Sequence, residues 1–397
     1  WLTDYKMLVA GPVPAGWIIV PANLCVERPP PTHHESPIVM TISDKLLADI
    51  LRHYQPSHFP ALHAQMTAWR QSRPLAGKSV LDATPVFRNT LCKYLALLAG
   101  GAQLSVYAHP DIPCDQEVRD SLHNYGIRLA TASDLTQRYD VVCDCAGALA
   151  QVPNNYGVVE LTRSGVYHYQ YAPYPVFFVD AGKIKVIETG LGTGDGFFRA
   201  MAALGYGDLR GKNIVIFGCG KVGRGIALYA LNADAKVIVV DDFQRAQPLP
   251  GTKAIDMHDR AAIDHAMANA FCAVSTTGVK HALANSFDQR EVCASATLLV
   301  NMGVVDEYGP GIPAERVLNR KAPINFILPE PTQLKYIDPT MALDNAGVIE
   351  LLQHRLQPGI NIPSSQLEDK ILAVVRKHGV INDDLALLDN AIPQSAC

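Results

Sequence analysis

From residue 77 to residue 161, short apolar runs alternate with helix-patterned stretches of roughly ten residues. Residues 77–82, 103–107, 127–131, 139–144 and 157–161 are short and rich in Val, Ile, Leu and Tyr, so each is predicted as a strand. Residues 89–99 and 114–125 carry helical spacing between them, and a longer helical pattern runs upstream from Ser43 to Gln71. Such alternation predicts a parallel sheet wrapped by helices.

A second unit of the same kind opens at Lys212. Residues 213–217 read as a buried strand, 218–225 as a glycine-rich turn, 226–232 as a helix, and 235–240 as a further strand ending in Asp241 and Asp242. Residues 271–274 and 297–300 add strands that end in Ser275-Thr276-Thr277-Gly278 and Asn301-Met302-Gly303. Small polar residues at those ends would line the carboxyl edge of the sheet, where open α/β folds bind ligands. The predicted fold class is therefore α/β, with two α/β domains of which the second is a Rossmann-type doubly wound parallel sheet. The expected division is an N-terminal extension over 1–40, a substrate-type domain over 41–190 closed by a return segment at 335–360, a dinucleotide domain over 191–334 and a tail over 361–397.

Composition narrows the class. The 397 residues suit two or three domains, and 48% hydrophobic with 18% charged residues describes a chain able to bury a large core. A formal charge of −4 gives no reason to expect nucleic acid as a partner. Nine scattered cysteines without a C-x-x-C pair point to reduced thiols and a cytoplasmic protein with no zinc site. Residues 7–26 are uncharged, but Pro12, Pro14 and Pro21 break them too often for a membrane span. Residues 28–37 read as a proline-rich connector, and the His33-His34 pair within it lacks a nearby third ligand, so no metal is expected. The four tyrosines of residues 167–175 make either a packed loop or a wall on which a ligand stacks. An apolar helical run at 367–375 suggests either a contact between copies in a homo-oligomer or packing on the same chain.

The densest chemical signal is Gly218-Cys219-Gly220-Lys221-Val222-Gly223, a G-x-G-x-x-G between a strand and a helix. Gly218 permits the tight turn, Gly220 lets the backbone approach a pyrophosphate, and Gly223 lets helix and strand pack closely. Asp241 stands at the end of the next strand, where it can accept from the adenosine ribose hydroxyls. Two carboxylates there, Asp241 and Asp242, would repel a 2′-phosphate, so NAD is expected over NADP; Arg245 would soften the preference if it folded back, but it reads as a solvated arginine. The nicotinamide end would lie near Thr276, Thr277, Gly278, Asn301 and Gly303.

With these motifs in place, the chain resembles the S-adenosylhomocysteine hydrolase family over about residues 60 to 350. The resemblance rests on residues 74–77 (PLAG), 157–166 (GVVELTRSGV), the GCGKVGRG loop, 275–278 (STTG) and 301–306 (NMGVVD), in the family's order and spacing. It implies tightly held NAD and chemistry in which a nucleoside hydroxyl is oxidised, a group eliminated, water added and the ketone reduced back. It also implies cofactor contacts at Thr162 and Ser164, and acid/base positions at Asp144 and Glu160. Departures stand beside the matches. Pro85 takes the place of the family's first histidine, Val304 that of another, and residues 338–341 (DPTM) replace a Met-Gly-His-Pro motif. The family's lysine and acid before the NAD domain have candidates in Lys183, Lys185, Glu188 and Asp195, with Lys185 and Glu188 chosen, although the family's four-residue spacing is not kept. A desolvated lysine there would have a lowered pKa and could accept an alcohol proton; the alternative is two exposed lysines on a turn. Cys145 reads as a small buried hydrophobe rather than a nucleophile.

Three functions remain open on sequence alone. One is an NAD-dependent oxidoreductase or lyase acting on a small hydroxylated, nucleoside-like metabolite. A second is a hydrolase with rearranged acid/base residues, and a third a non-catalytic NAD-binding regulator.

Overall fold

The computed structural model describes residues 41–391 apart from 245, 248 and 354. Residues 1–40, with the uncharged run, the proline-rich connector and the His33-His34 pair, lie outside the described residues, as do Arg245 and the last residues of the tail. In chain order the strands are β1 (Ser79–Asp82), β2 (Gln103–Val106), β3 (Arg128–Leu129), β4 (Tyr139–Asp144), β5 (Asn154–Glu160), β6 (Pro175–Phe178), β7 (Asn213–Phe217), β8 (Lys236–Asp241), β9 (Lys253–Asp256), β10 (Cys272–Ser275), β11 (Leu298–Asn301), β12 (Val317–Leu318) and β13 (Gly359–Asn361). They form two sheets, ordered β13-β6-β5-β4-β1-β2-β3 and β12-β11-β10-β7-β8-β9. Neighbouring strands run parallel throughout, as the near-continuous apolar runs require when helices cover both faces.

Both sheets reverse direction of growth beside their first strand. In the first sheet β1 lies between β2 and β4, and in the second β7 lies between β8 and β10. Each reversal opens a crevice at the carboxyl ends of the strands, where an α/β fold binds its ligand.

Two elements depart from the sequence reading for local reasons. The single helical run over 43–71 is in fact two helices, Ile42–Ile50 and Pro60–Ser72. Pro56 and Pro60 cannot donate to a preceding turn, so each starts a helical segment at its first position instead of continuing one. The helix expected over 226–232 begins earlier, at Lys221, and therefore includes Val222 and Gly223 of the glycine-rich turn.

The long helix Leu334–Leu352 brings the chain back from the second sheet to the first, burying Asp338, Thr340, Asp344 and Asn345. Asp338 substitutes for a missing cap. Its carboxylate accepts from the amides of Ala61 (3.0 Å) and Leu62 (2.9 Å) at the start of the helix Pro60–Ser72, which has no side-chain cap of its own. The run at 367–375 lies in the helix Ser365–His378, and its Ile371 and Val375 join the core of their own chain. Among the described residues all cysteines are free thiols, and no helix is long and apolar enough to cross a membrane.

Candidate functional site

The second crevice is built around the glycine loop. Gly218 has φ +105°, which only glycine adopts without strain, and its carbonyl accepts from Thr276 Oγ1 at 3.0 Å. A Cβ on Gly223 would stand 1.9 Å from the Gly218 carbonyl oxygen, so the third glycine is what lets the helix seat against the strand. Gly220 has nothing within 4 Å of where its Cβ would be. Next to that open space the helix Lys221–Asn232 starts with no side-chain cap, leaving its first amides free for an anion. Asp241, at the end of β8, accepts from the amides of Cys219 and, at 2.6 Å, Asp242, which holds the acid over the loop. These residues fit a dinucleotide: an open approach for the pyrophosphate, uncapped amides, and an acid for the ribose.

The other expected cofactor residues divide by what holds them. Lys221 directs its ammonium at Asp180, 2.7 Å away, on the segment that follows β6. Asn301 is wholly buried and spends its side chain on the protein, accepting from Ser275 Oγ and Gly303 N and donating to the carbonyls of Gly303, Val305 and Lys321. It shapes the loop. Thr277 and Gly278 are fixed by Glu307, a buried acid that motif reading missed; it takes the Thr277 amide and hydroxyl and the Gly278 amide, each at 2.8 Å. Gly303 has to be glycine for this, since a Cβ there would meet the Glu307 carboxylate at 2.0 Å. Val222 is half-buried on the helix face.

The first crevice holds a cavity of about 140 Å³. Thr84 and Pro85 after β1, Cys145 after β4, Leu161 and Thr162 after β5, and Lys185 with Glu188 all line it. Lys185 Nζ lies 3.0 and 2.9 Å from the two Glu188 carboxylate oxygens. The other candidates are engaged elsewhere, Lys183 with Asp369 at 2.5 Å and Asp195 with Arg199 at 2.6 Å. Lys183 is 39% exposed and Lys185 only 4%, so a single lysine of the two is buried.

Lys185 corrects one expectation. Burial pulls its pKa down, but the carboxylates of Glu188 and Asp180 more than offset that and hold it above the ordinary lysine value. It is a cation, not a base.

Asp144 and Glu160 end neighbouring strands in register and are wholly buried. Asp144 accepts from the amides of Cys145 and Leu149 and from the Tyr169 hydroxyl, so one of the clustered tyrosines is core. Glu160 accepts from the amides of Ala146, Gly147 and Thr162 and from the Thr162 hydroxyl. Both acids are thus occupied in shaping the loop after β4, and neither lines the cavity. Burial raises Asp144 to about 6; burial and then the neighbouring Asp144 charge raise Glu160 to about 7. Ser164 donates to Thr162 Oγ1 at 3.3 Å, on the rim of the same loop. Burial puts the Cys145 thiol far above its usual pKa, which makes it a poor nucleophile.

Sequence reading also missed a buried ion cluster in the wall of the cavity. Lys93, on the helix Thr90–Ala99, pairs with Asp82 at the end of β1 and with Asp344 at 2.8 Å. A lysine in an apolar helix face is a detectable signal, because an unpaired buried ammonium is not tolerated.

Known proteins bear on this geometry. The NAD(P)-binding family model NAD_binding_7 matches residues 206–308, the glycine loop and Asp241 included. S-inosyl-L-homocysteine hydrolase of Methanopyrus kandleri is 29% identical over 231 residues, 50% of this chain and 53% of that protein. Adenosylhomocysteinase of Haloquadratum walsbyi is 23% identical over 280 residues, 63% of each, and that of Sulfurisphaera tokodaii 28% over 229 residues. The chain is related to the adenosylhomocysteinases. The matches span between about half and two-thirds of those relatives' length. Among solved structures, a dipicolinate synthase chain of Bacillus halodurans aligns over 71% of this chain and 99% of its own at a TM-score of 0.42 and 14% identity. The cofactor of this adenosylhomocysteinase relative is NAD, and its fold is α/β with a Rossmann-like second sheet.

Proposed function

We propose that the protein is an NAD-dependent oxidoreductase or lyase, adenosylhomocysteinase-like, that acts on a hydroxyl of a small, nucleoside-like metabolite. The observation that carries the reading is the buried Lys185–Glu188 pair lining the cavity of the first crevice. Bound NAD supplies a hydride acceptor, held by the amides of residues 220–223 and by Asp241. In alcohol oxidation the hydroxyl proton passes to the Glu188 carboxylate as the C–H hydride leaves. The Lys185 ammonium holds the oxygen as it becomes a carbonyl, and it needs no change of protonation to do so.

The same cavity argues against ordinary hydrolysis. Pro85, where the resemblance calls for a histidine, lines it and carries no titratable group, while Asp144 and Glu160 are committed to backbone amides. A metabolite screen following NADH formation, run beside an assay for adenosine release from S-adenosylhomocysteine, tests the reading. NADH from an alcohol without adenosine release supports it; adenosine release at an enzymatic rate replaces it with the hydrolase.

A further inference from the structure

The ion cluster in the cavity wall holds two carboxyl groups and one ammonium. Asp82, Cys143 and Asp344 stand close enough to share a cation, and Lys93 is that cation. The two acids are not equivalent. Asp82 is saturated, accepting from Lys93, from Thr84 N at 3.0 Å and Oγ1 at 2.7 Å, and from the Tyr94 hydroxyl at 3.3 Å. Asp344 has Lys93 against Oδ2, while its Oδ1 has no hydrogen-bond partner although the residue is wholly buried. Two acids share one ammonium, so the cluster has one acid in excess, and Asp344, whose pKa burial raises above the ordinary carboxylate value, lines the same cavity as Lys185 and Glu188.

A buried carboxylate oxygen without a partner carries a large desolvation cost unless something donates to it. We infer that Asp344 is the recognition site for a second hydrogen-bond donor on the substrate, a hydroxyl or an ammonium, opposite the hydroxyl that reacts at Lys185 and Glu188. The inference rests on the reading of that pair given above and adds the substrate class: an alcohol with a donor at its far end. Phe87, Ile337 and Met341 add apolar wall to the same cavity, the usual make-up of a small-molecule pocket.

The test uses the full chain loaded with NAD and three probes, butan-1-ol, butane-1,4-diol and 4-aminobutan-1-ol, with binding followed by ligand-observed NMR. The two donor-bearing probes should bind at least about tenfold more tightly than butan-1-ol, and Asp344→Asn, which leaves Lys93 its Asp82 partner, should reduce the difference to about threefold or less. Comparison of the two donor probes shows whether hydroxyl or ammonium is preferred. Equal binding of all three, no binding, or a preference unchanged in Asp344→Asn overturns the inference. Should that variant not fold, the probe's position in crystals of the unaltered protein decides: the donor on Asp344 supports the inference and any other placement overturns it. NADH formation separates this from the functional reading. A donor preference without NADH leaves the recognition site and removes the oxidation, whereas butan-1-ol bound and oxidised as well as the others does the reverse.

Discussion

Lys221 and Asp180 join the two crevices: the first residue of the helix after the glycine loop sets its ammonium 2.7 Å from a carboxylate only five positions before Lys185. The lysine of the fingerprint thus faces the segment that leads to Lys185 and Glu188 rather than open phosphate space. Lys221→Ala should accordingly weaken NAD by less than about threefold, as expected for a half-exposed ion pair. Gly220→Val, which fills the one open approach in the loop, should weaken it by more than about tenfold. Calorimetric titration of both variants checks the contrast.

The fingerprint and its acid were legible in the sequence because their chemistry is backbone chemistry. A glycine at φ +105° and an acid at a strand end are fixed by local sequence alone. The physical reason for favouring Lys185 over Lys183 was not. It depends on which of two alternate positions turns inward, and that is settled by Asp369 drawing Lys183 outward and Glu188 and Asp180 drawing Lys185 inward. The sign of the Lys185 shift was missed for the same reason, since Asp180 comes close only in the fold. Asp344 and Glu307 carry no motif, and their partners lie about 250 and 30 residues away in sequence, beyond any local pattern.

Lys93 is a cation shared by two buried acids. Lys93→Met would leave Asp82 and Asp344 facing one another unpaired and should cost about 3 to 5 kcal/mol of stability. Lys93→Met combined with Asp344→Leu removes both members of one pair and should cost clearly less. Denaturant unfolding of the two variants measures the difference.

Three buried acids tilt stability toward lower pH. Burial raises Asp338 to about 7, Asp144 to about 6 and Glu160 to about 7, all above the values of an unfolded chain. A raised acid binds its proton more tightly when folded, so its contribution is full below the unfolded pKa and is lost as pH rises through the folded one. Stability should fall between about pH 4 and 7 by a few kcal/mol in sum. Thermal unfolding across that range should show it, together with an infrared band of protonated carboxyls persisting at about pH 6.

Asp241 should carry cofactor choice. Asp241→Ala should weaken NAD by about 1 to 3 kcal/mol through loss of a charge-assisted bond and should narrow discrimination against NADP. Paired titrations with both dinucleotides read this out.

Everything proposed for the first crevice turns on Lys185 and Glu188 oxidising an alcohol with the NAD held at the glycine loop. NADH formation over a panel of hydroxylated metabolites, donor-bearing ones included, decides it when run on the unaltered protein and on Lys185→Met, with bound NAD quantified in each after denaturation. At least one alcohol should yield NADH, and Lys185→Met should lose about 10²- to 10⁴-fold in rate at unchanged NAD content. Full NAD occupancy with no NADH from any alcohol, or a rate that survives Lys185→Met, would rule the oxidation out.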